Sequence, residues 1–363
     1  MVNQVVKNIF SIHDSSITKR DHLIDYLRGC AMMLVVLHHS SFPLGSVILA
    51  FHMPLFFILS GYLEFIRGGT KKPIKLYIKN KFMRLMVPYF TFEILNLIIY
   101  CIGCAIKHRA LPGIESIISI VTCINNEYMG MYGRLWFLPC MFVADIYLWV
   151  LLRFLRNNKF AQIISVLVLF ALSFITDKLI SFRLPFTTDT ALFAVAFIML
   201  GYLFGDSIRV LIDKGNDGCK IVLSFLLLLY LVYAVYFTNV KVYMCINSYG
   251  EYTVSICAAI AGSIAFFILG SYLYRVAERY PARFRLLNGI ILWYGKNSLV
   301  SFPIHLTIKM FILWYVPNLS RWYLLFVVMV FANIPIVNMI THYFPFMLGK
   351  KRVGKLSQPT RCR

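Results

Sequence analysis

An arginine and a histidine share one face of an apolar segment near the start of the chain. In LIDYLRGCAMMLVVLHHS, Arg28 and His39 stand eleven positions apart. Eleven steps of about 100° make three turns plus about 20°, so both side chains lie on one stripe, separated by roughly 16 Å of rise. A guanidinium can hold phosphate, and an imidazole can take a proton from a hydroxyl or donate one to a leaving group. The simpler role for Arg28 is an anchor whose stem lies along apolar surface while its charge snorkels to the interface. The following segment, SVILAFHMPLFFILSGYLEF, runs back antiparallel and brings His52 to nearly the depth of His39. Pro54 interrupts the local hydrogen-bond ladder there and can leave backbone groups facing a cavity. A single histidine in such a place is most simply satisfied by a facing carbonyl. His38, His39 and His52 together point to proton transfer instead.

Other polar groups in apolar surroundings form a supporting set. Lys81 and Arg84 fall at i, i+3 where the third apolar segment begins. They can hold phosphate, although a loop on the positively charged side of a membrane needs basic residues anyway. Glu93 and Asp145 lie deep enough to require partners, and either could orient a histidine or pair with an arginine. His305 and Lys309, at i, i+4, share a face next to Pro303, with outward snorkelling as the alternative for Lys309. Asp25 joins the set as a further carboxylate in the first segment. Asn333 and Asn338 read as interhelical glue, and Trp136, Trp293, Trp314 and Trp322 as an aromatic belt.

The elements that must position these groups are membrane helices. Of 363 residues, 60% are apolar, 16% aromatic and only 14% charged, which excludes soluble, disordered, collagen-like and disulfide-scaffold classes. Windows long enough to cross the hydrocarbon core fall at 23–43, 46–66, 85–106, 135–155, 160–177, 187–205, 220–239, 252–274, 297–316 and 322–345. The shorter stretches 112–124 and 284–294 read as interfacial or re-entrant. The expected fold is therefore all-α and polytopic, with about ten transmembrane helices. Counted over that topology, 28 of the 36 Lys and Arg lie on the side of the amino terminus and 8 on the other, which predicts both termini cytosolic. The organisation expected is a cytosolic tail over 1–22, one membrane domain over 23–345 and a basic cytosolic tail over 346–363. No removable signal peptide is evident.

The net charge of +21 is explained by basic loops facing anionic headgroups, and no nucleic-acid partner is expected. Nine cysteines, an odd number placed mostly within apolar runs, predict no disulfide framework. The isolated Cys101–Cys104 pair is not expected to bind metal, and no metal site is predicted.

With these residues laid out, the chain resembles the acyltransferase 3 family of integral membrane O-acyltransferases, most closely its fucose 4-O-acetylase-like branch. The resemblance is carried by IDYLRGCAMMLVVLHHS, FHMPLFFILSGYL, GRLWFLPCMF, ALFAVAFIMLGYLFG and WYGKNSLVSFPIHL, and it runs from about 22 to 310. It implies transfer of an acyl group, usually acetyl from cytosolic acetyl-CoA as donor substrate, to a sugar hydroxyl of a polysaccharide or lipid-linked glycan. It also implies catalytic roles for Arg28 and His39, with Lys81 and Arg84 in place of the family's basic pair. Lys81 departs from that pair because lysine lacks the bidentate fork of arginine.

In the mechanism expected, Arg28, Lys81 and Arg84 bind the nucleotide end of acetyl-CoA from the cytosol. His39 serves as general base, and His52 orients it, completes the acceptor site or relays the proton. An acetyl-histidine intermediate is the alternative. The location expected is a cell membrane, taken as a bacterial cytoplasmic membrane. A proton-coupled transporter or flippase is the competing reading, and a membrane sensor a third. The transporter would call for symmetry between the halves, whereas the histidine motifs cluster in the first two helices.

Overall fold

A computed structural model describes residues 19–124, 135–155, 158–180, 182–213 and 215–350 of the chain. The expected tails, 1–22 and 346–363, lie largely outside the described residues, as do the first two residues of the GRLWFLPCMF motif. In chain order the helices are α1 (Lys19–His39), α2 (Gly45–Leu49), α3 (His52–Arg67), α4 (Ile74–Lys81), α5 (Val87–Ile106), α6 (Ile114–Thr122), α7 (Phe137–Leu155), α8 (Lys159–Leu179), α9 (Thr188–Leu203), α10 (Gly205–Ile212) and α11 (Asp217–Phe237). A hairpin of β1 (Val240–Tyr243) and β2 (Ser248–Gly250) precedes α12 (Tyr252–Arg279), α13 (Pro281–Tyr315) and α14 (Trp322–Tyr343).

The architecture is all-α and multi-pass. Among the described residues, nine helical runs are long and apolar enough to cross a membrane. The difference from ten is α1, which is 21 residues long. Asp25, Arg28 and two terminal histidines lower its apolarity, because its polar face turns into the bundle rather than to lipid.

Three boundaries differ from the sequence expectation. The stretch 284–294 is not a separate re-entrant piece but the first part of α13, one helix of 35 residues, about 52 Å at 1.5 Å per residue. The third span begins at α4 and continues through a π-helical turn, Phe82–Met86, into α5. The second span is broken at Ala50 and Phe51, between α2 and α3. Pro54 falls in the first turn of α3, where its missing N–H leaves no bond unmade. The interruption thus lies ahead of the proline. The other short stretch forms α6, nine residues and too short to span. Its Ile114, Ile117, Ile118 and Val121 point outward.

Close crossings of glycine-bearing helices hold the bundle. At the α1–α13 crossing, a Cβ on Gly29 would overlap the Ile291 carbonyl oxygen, and one on Gly295 the Asp25 carbonyl oxygen. At the α3–α9 crossing, Gly61 faces the Ile198 carbonyl and Gly201 the Ile58 carbonyl in the same reciprocal way. Lipid is as apolar as leucine, so helix association in a bilayer depends on such backbone approach. The first crossing sets Arg28 and His39 against α13. The second sets α3 against the buried α9.

Gly61→Val or Gly201→Val should therefore cost at least about 1–3 kcal/mol through overpacking. The expected result is a lower thermal midpoint and loss of the monodisperse peak on size exclusion in detergent. Gly218→Ala is the control, since a Cβ there meets nothing within 4 Å, and it should leave both unchanged.

Candidate active site

A cavity of about 360 Å³ lies between α1, α3, α4 with its π turn, α7 and α13. One part of its lining is basic, with Arg67, Lys72, Lys81 and Arg84 around Arg28. The other part is apolar, formed by Met32, Phe56, Leu59, Phe137 and Phe302 among others. The sequence alternates these two characters because each lining helix passes from a charged end into an apolar middle.

Arg28 is held on two sides. Its Nη2 donates to Ser298 Oγ at 3.0 Å, and its Nη1 lies 3.7 Å from Asp25 Oδ1. The side chain keeps 21% of its surface exposed, and it lines the cavity. Arg28 is therefore a wall of the cavity rather than a snorkelling anchor. Lys81 sits 2.7 Å from Asp145 Oδ2 and 5.2 Å from the Tyr77 ring centroid, while Tyr77 donates to Asp145 Oδ1 at 3.4 Å. Asp145 thus pairs with a lysine, where the sequence left a histidine or an arginine open. Arg84, carried on the π turn, makes no hydrogen bond or ion pair among the described residues. A widened turn re-aims its side chains, and this one places Arg84 on the cavity.

Two carboxylates serve backbone. Glu64 accepts from Thr70 N at 2.6 Å and Thr70 Oγ1 at 2.7 Å, pinning the loop that carries Lys72. Glu93, fully buried, accepts from Leu135 N at 3.1 Å and so ties α5 to the start of α7.

Four imidazoles form a row beyond the cavity's apolar end. Ring centroids are 5.2 Å apart for His52 and His38, 5.0 Å for His38 and His39, and 5.1 Å for His39 and His305. His52 therefore lies against His38, and the ring that meets His39 from another helix is His305. The break between α2 and α3 accounts for the first: the Ile48 carbonyl just ahead of it accepts from Phe51 N–H at 3.2 Å and also lies 2.9 Å from His52 Nδ1. His38 Nδ1 is 3.0 Å from the Gly45 carbonyl, and His305 Nδ1 is 3.3 Å from that of Ser301. Carbonyls only accept, so in these three rings Nδ1 carries hydrogen and neutral Nε2 is left basic. Buried His305 Nε2 has no hydrogen-bond partner among the described residues. His39 makes no hydrogen bond among the described residues and is half-buried, which leaves it the ring of the four whose nitrogens are uncommitted. Lys309, one turn along from His305, is within electrostatic range of His38 and His39. Among the described residues no group of three or more His, Cys, Asp or Glu is arranged to hold a metal ion.

Ser298, Tyr77, Glu64, Phe137 and Phe302 were not singled out from the sequence. Ser298 sits in the quoted WYGKNSLVSFPIHL motif, four residues before Phe302 and seven before His305, so its place on the helix face was readable. Glu64 and Tyr77 gave no such signal, since only the folded loop brings them to the cavity. Conversely, Trp293 is 3% exposed and donates to Asn338 Oδ1 at 3.0 Å, so it is an interior tie rather than part of an aromatic belt. Asn333 donates to the Ser301 carbonyl at 3.2 Å, joining α14 to α13.

Residues 21–344 match the model of the acyltransferase 3 family, described as an acyltransferase domain. No curated protein and no solved structure matches the chain.

Replacing Asp145 tests the electrostatics of the cavity floor. Asp145→Ala strands the Lys81 ammonium, and a severed buried pair costs about 3–5 kcal/mol. Lys81 is partly exposed, so a loss of about 1–2 kcal/mol is expected after solvent screening. A differential scanning measurement should show it as a lowered midpoint, and Asp145→Ala with Lys81→Met should recover most of the loss.

Proposed function

The chain belongs to the acyltransferase 3 family and is a membrane acyltransferase, and from that premise we propose that it transfers acetyl from acetyl-CoA to a sugar hydroxyl of a cell-surface polysaccharide or lipid-linked glycan. The branch it resembles, the fucose 4-O-acetylase-like one, supplies the acceptor class. The observation that carries the reading is Arg28, fixed by Ser298 and Asp25 in a cavity with a basic rim. The same stripe of α1 ends at His39, an imidazole that makes no hydrogen bond among the described residues.

A nucleotide with three phosphates calls for several cations at a solvent-reached mouth, and Arg67, Lys72, Lys81 and Arg84 supply them. The cavity is too small for a whole coenzyme and suits the pantetheine arm, with the nucleotide on the rim. Arg28 then meets a phosphate or the amide-bearing arm, and the thioester points along α1 toward His39. His39 takes the proton of the acceptor hydroxyl as its oxygen attacks the thioester carbonyl. The C–O bond forms, the C–S bond breaks, and the proton passes to the departing thiolate. His305 lies against His39 and His38 continues the row to His52, so the proton and the imidazolium charge have neighbouring acceptors. The donor side in this reading is the cytosolic one, supported by the bias of basic residues toward the side of the termini, and the membrane is taken as a bacterial cytoplasmic one. The acceptor approaches from the histidine end.

His39→Ala should lower acetyl transfer by about 10²–10⁴, the usual contribution of a positioned base. The measurement is labelled acetyl transfer by membranes matched for folded protein, and retained activity would remove His39 from the chemistry. Arg28→Lys keeps charge but loses the fork, and should raise the acetyl-CoA concentration needed for half-maximal rate with little change for the acceptor. Mass spectrometry of surface glycans with and without the protein should show loss of an acetyl mass.

A further inference from the structure

The cavity and the histidine row do not join in the structure. His39 and His305 are absent from the cavity lining, whose apolar end carries Phe302 and Phe137. Those two rings are 5.4 Å apart, and Phe302 in turn lies 5.7 Å from the His305 ring. One layer of aromatic side chains therefore separates the space that would hold a thioester from the imidazoles that would act on it.

Phe302 sits beside a gap in the hydrogen-bond ladder of α13. Pro303 follows it inside the helix and has no N–H to give the Leu299 carbonyl, so this turn lacks one backbone bond. Leu299 also lines the cavity. The missing bond thus lies in the turn that carries the ring, and a small adjustment there moves Phe302 without unpacking the bundle.

We propose that Phe302, with Phe137 beside it, is the residue that selects the length of the acyl group. It closes the histidine end of the donor cavity and yields only enough room for a short acyl chain to pass. This rests on the donor reading above. An acetyl group adds one methyl beyond the carbonyl and passes a shifted ring. A six-carbon chain needs the volume the rings occupy.

The test offers acetyl-CoA and hexanoyl-CoA to the same membranes and reads the ratio of acyl transferred. Both thioesters meet one protein population, so the ratio is independent of how much of a variant folds. Wild-type protein should favour acetyl by about tenfold or more, the scale on which apolar pockets discriminate chain length. Phe302→Ala should bring the ratio to near unity, Phe302→Leu should shift it part of the way, and Phe137→Leu should act in the same direction. Phe302→Leu preserves most of the packing and decides the matter if the alanine variant does not fold. A wild-type ratio near unity, or an acetyl preference unchanged in active variants, overturns the gate and leaves the donor reading standing. Wild-type membranes that transfer neither group overturn the donor reading, and the gate falls with it.

Discussion

The cost of placing charge in an apolar bundle governs this structure. A guanidinium among transmembrane helices is tolerated only where it is hydrogen-bonded and reached by water. Arg28 meets both conditions through Ser298, Asp25 and the cavity it lines. The Ser298 contact exists because Gly29 and Gly295 let α1 and α13 approach until backbone meets backbone, while Asp25 comes from one turn back on α1 itself. The crossing that packs the bundle is thus the one that seats its most costly side chain. The same requirement explains Lys81 with Asp145, a pair that sets one more cation at the cavity without leaving it uncompensated.

The histidines follow a different economy. Neutral imidazoles are cheap to bury when one nitrogen is bonded, and three of the four rings use Nδ1 on a backbone carbonyl. Two of those carbonyls, of Gly45 and Ile48, belong to the five-residue helix α2, which is flanked by irregular backbone: a turn before it and the break before α3. Irregular backbone inside a membrane protein is accepted where it is buried in protein or lines a cavity, and here it also sets the tautomers. His39 stands out because it has no such tether, so its nitrogens remain open to a reactant.

The basic-rimmed cavity and the imidazole row share α1 and α13, whose facing stripes place Arg28 by Ser298 and His39 by His305. Phe302 lies between these two contacts along α13. A reaction joining a donor in the cavity to a hydroxyl at the histidines has to pass that ring, and the proline after it weakens the helix at that point.

The sequence by itself determined the class of the molecule. Apolar windows of spanning length, the bias of basic residues and the Arg28-to-His39 spacing are local properties, legible because bilayer thickness and helical period leave few alternatives. The motifs were enough to indicate the acyltransferase 3 family, and the match over 21–344 shows it. Tertiary structure alone decided partners. Whether His52 or His305 meets His39, or whether Asp145 serves a lysine or a histidine, depends on crossing angles and on one break in a helix. Likewise, the merger of 284–294 into α13 was hidden because Arg283, Arg285 and Lys296 interrupt its apolar run, although none of them interrupts the helix. Hydropathy reports where a chain prefers to be, while backbone hydrogen bonding and packing settle how far a helix continues and what it touches.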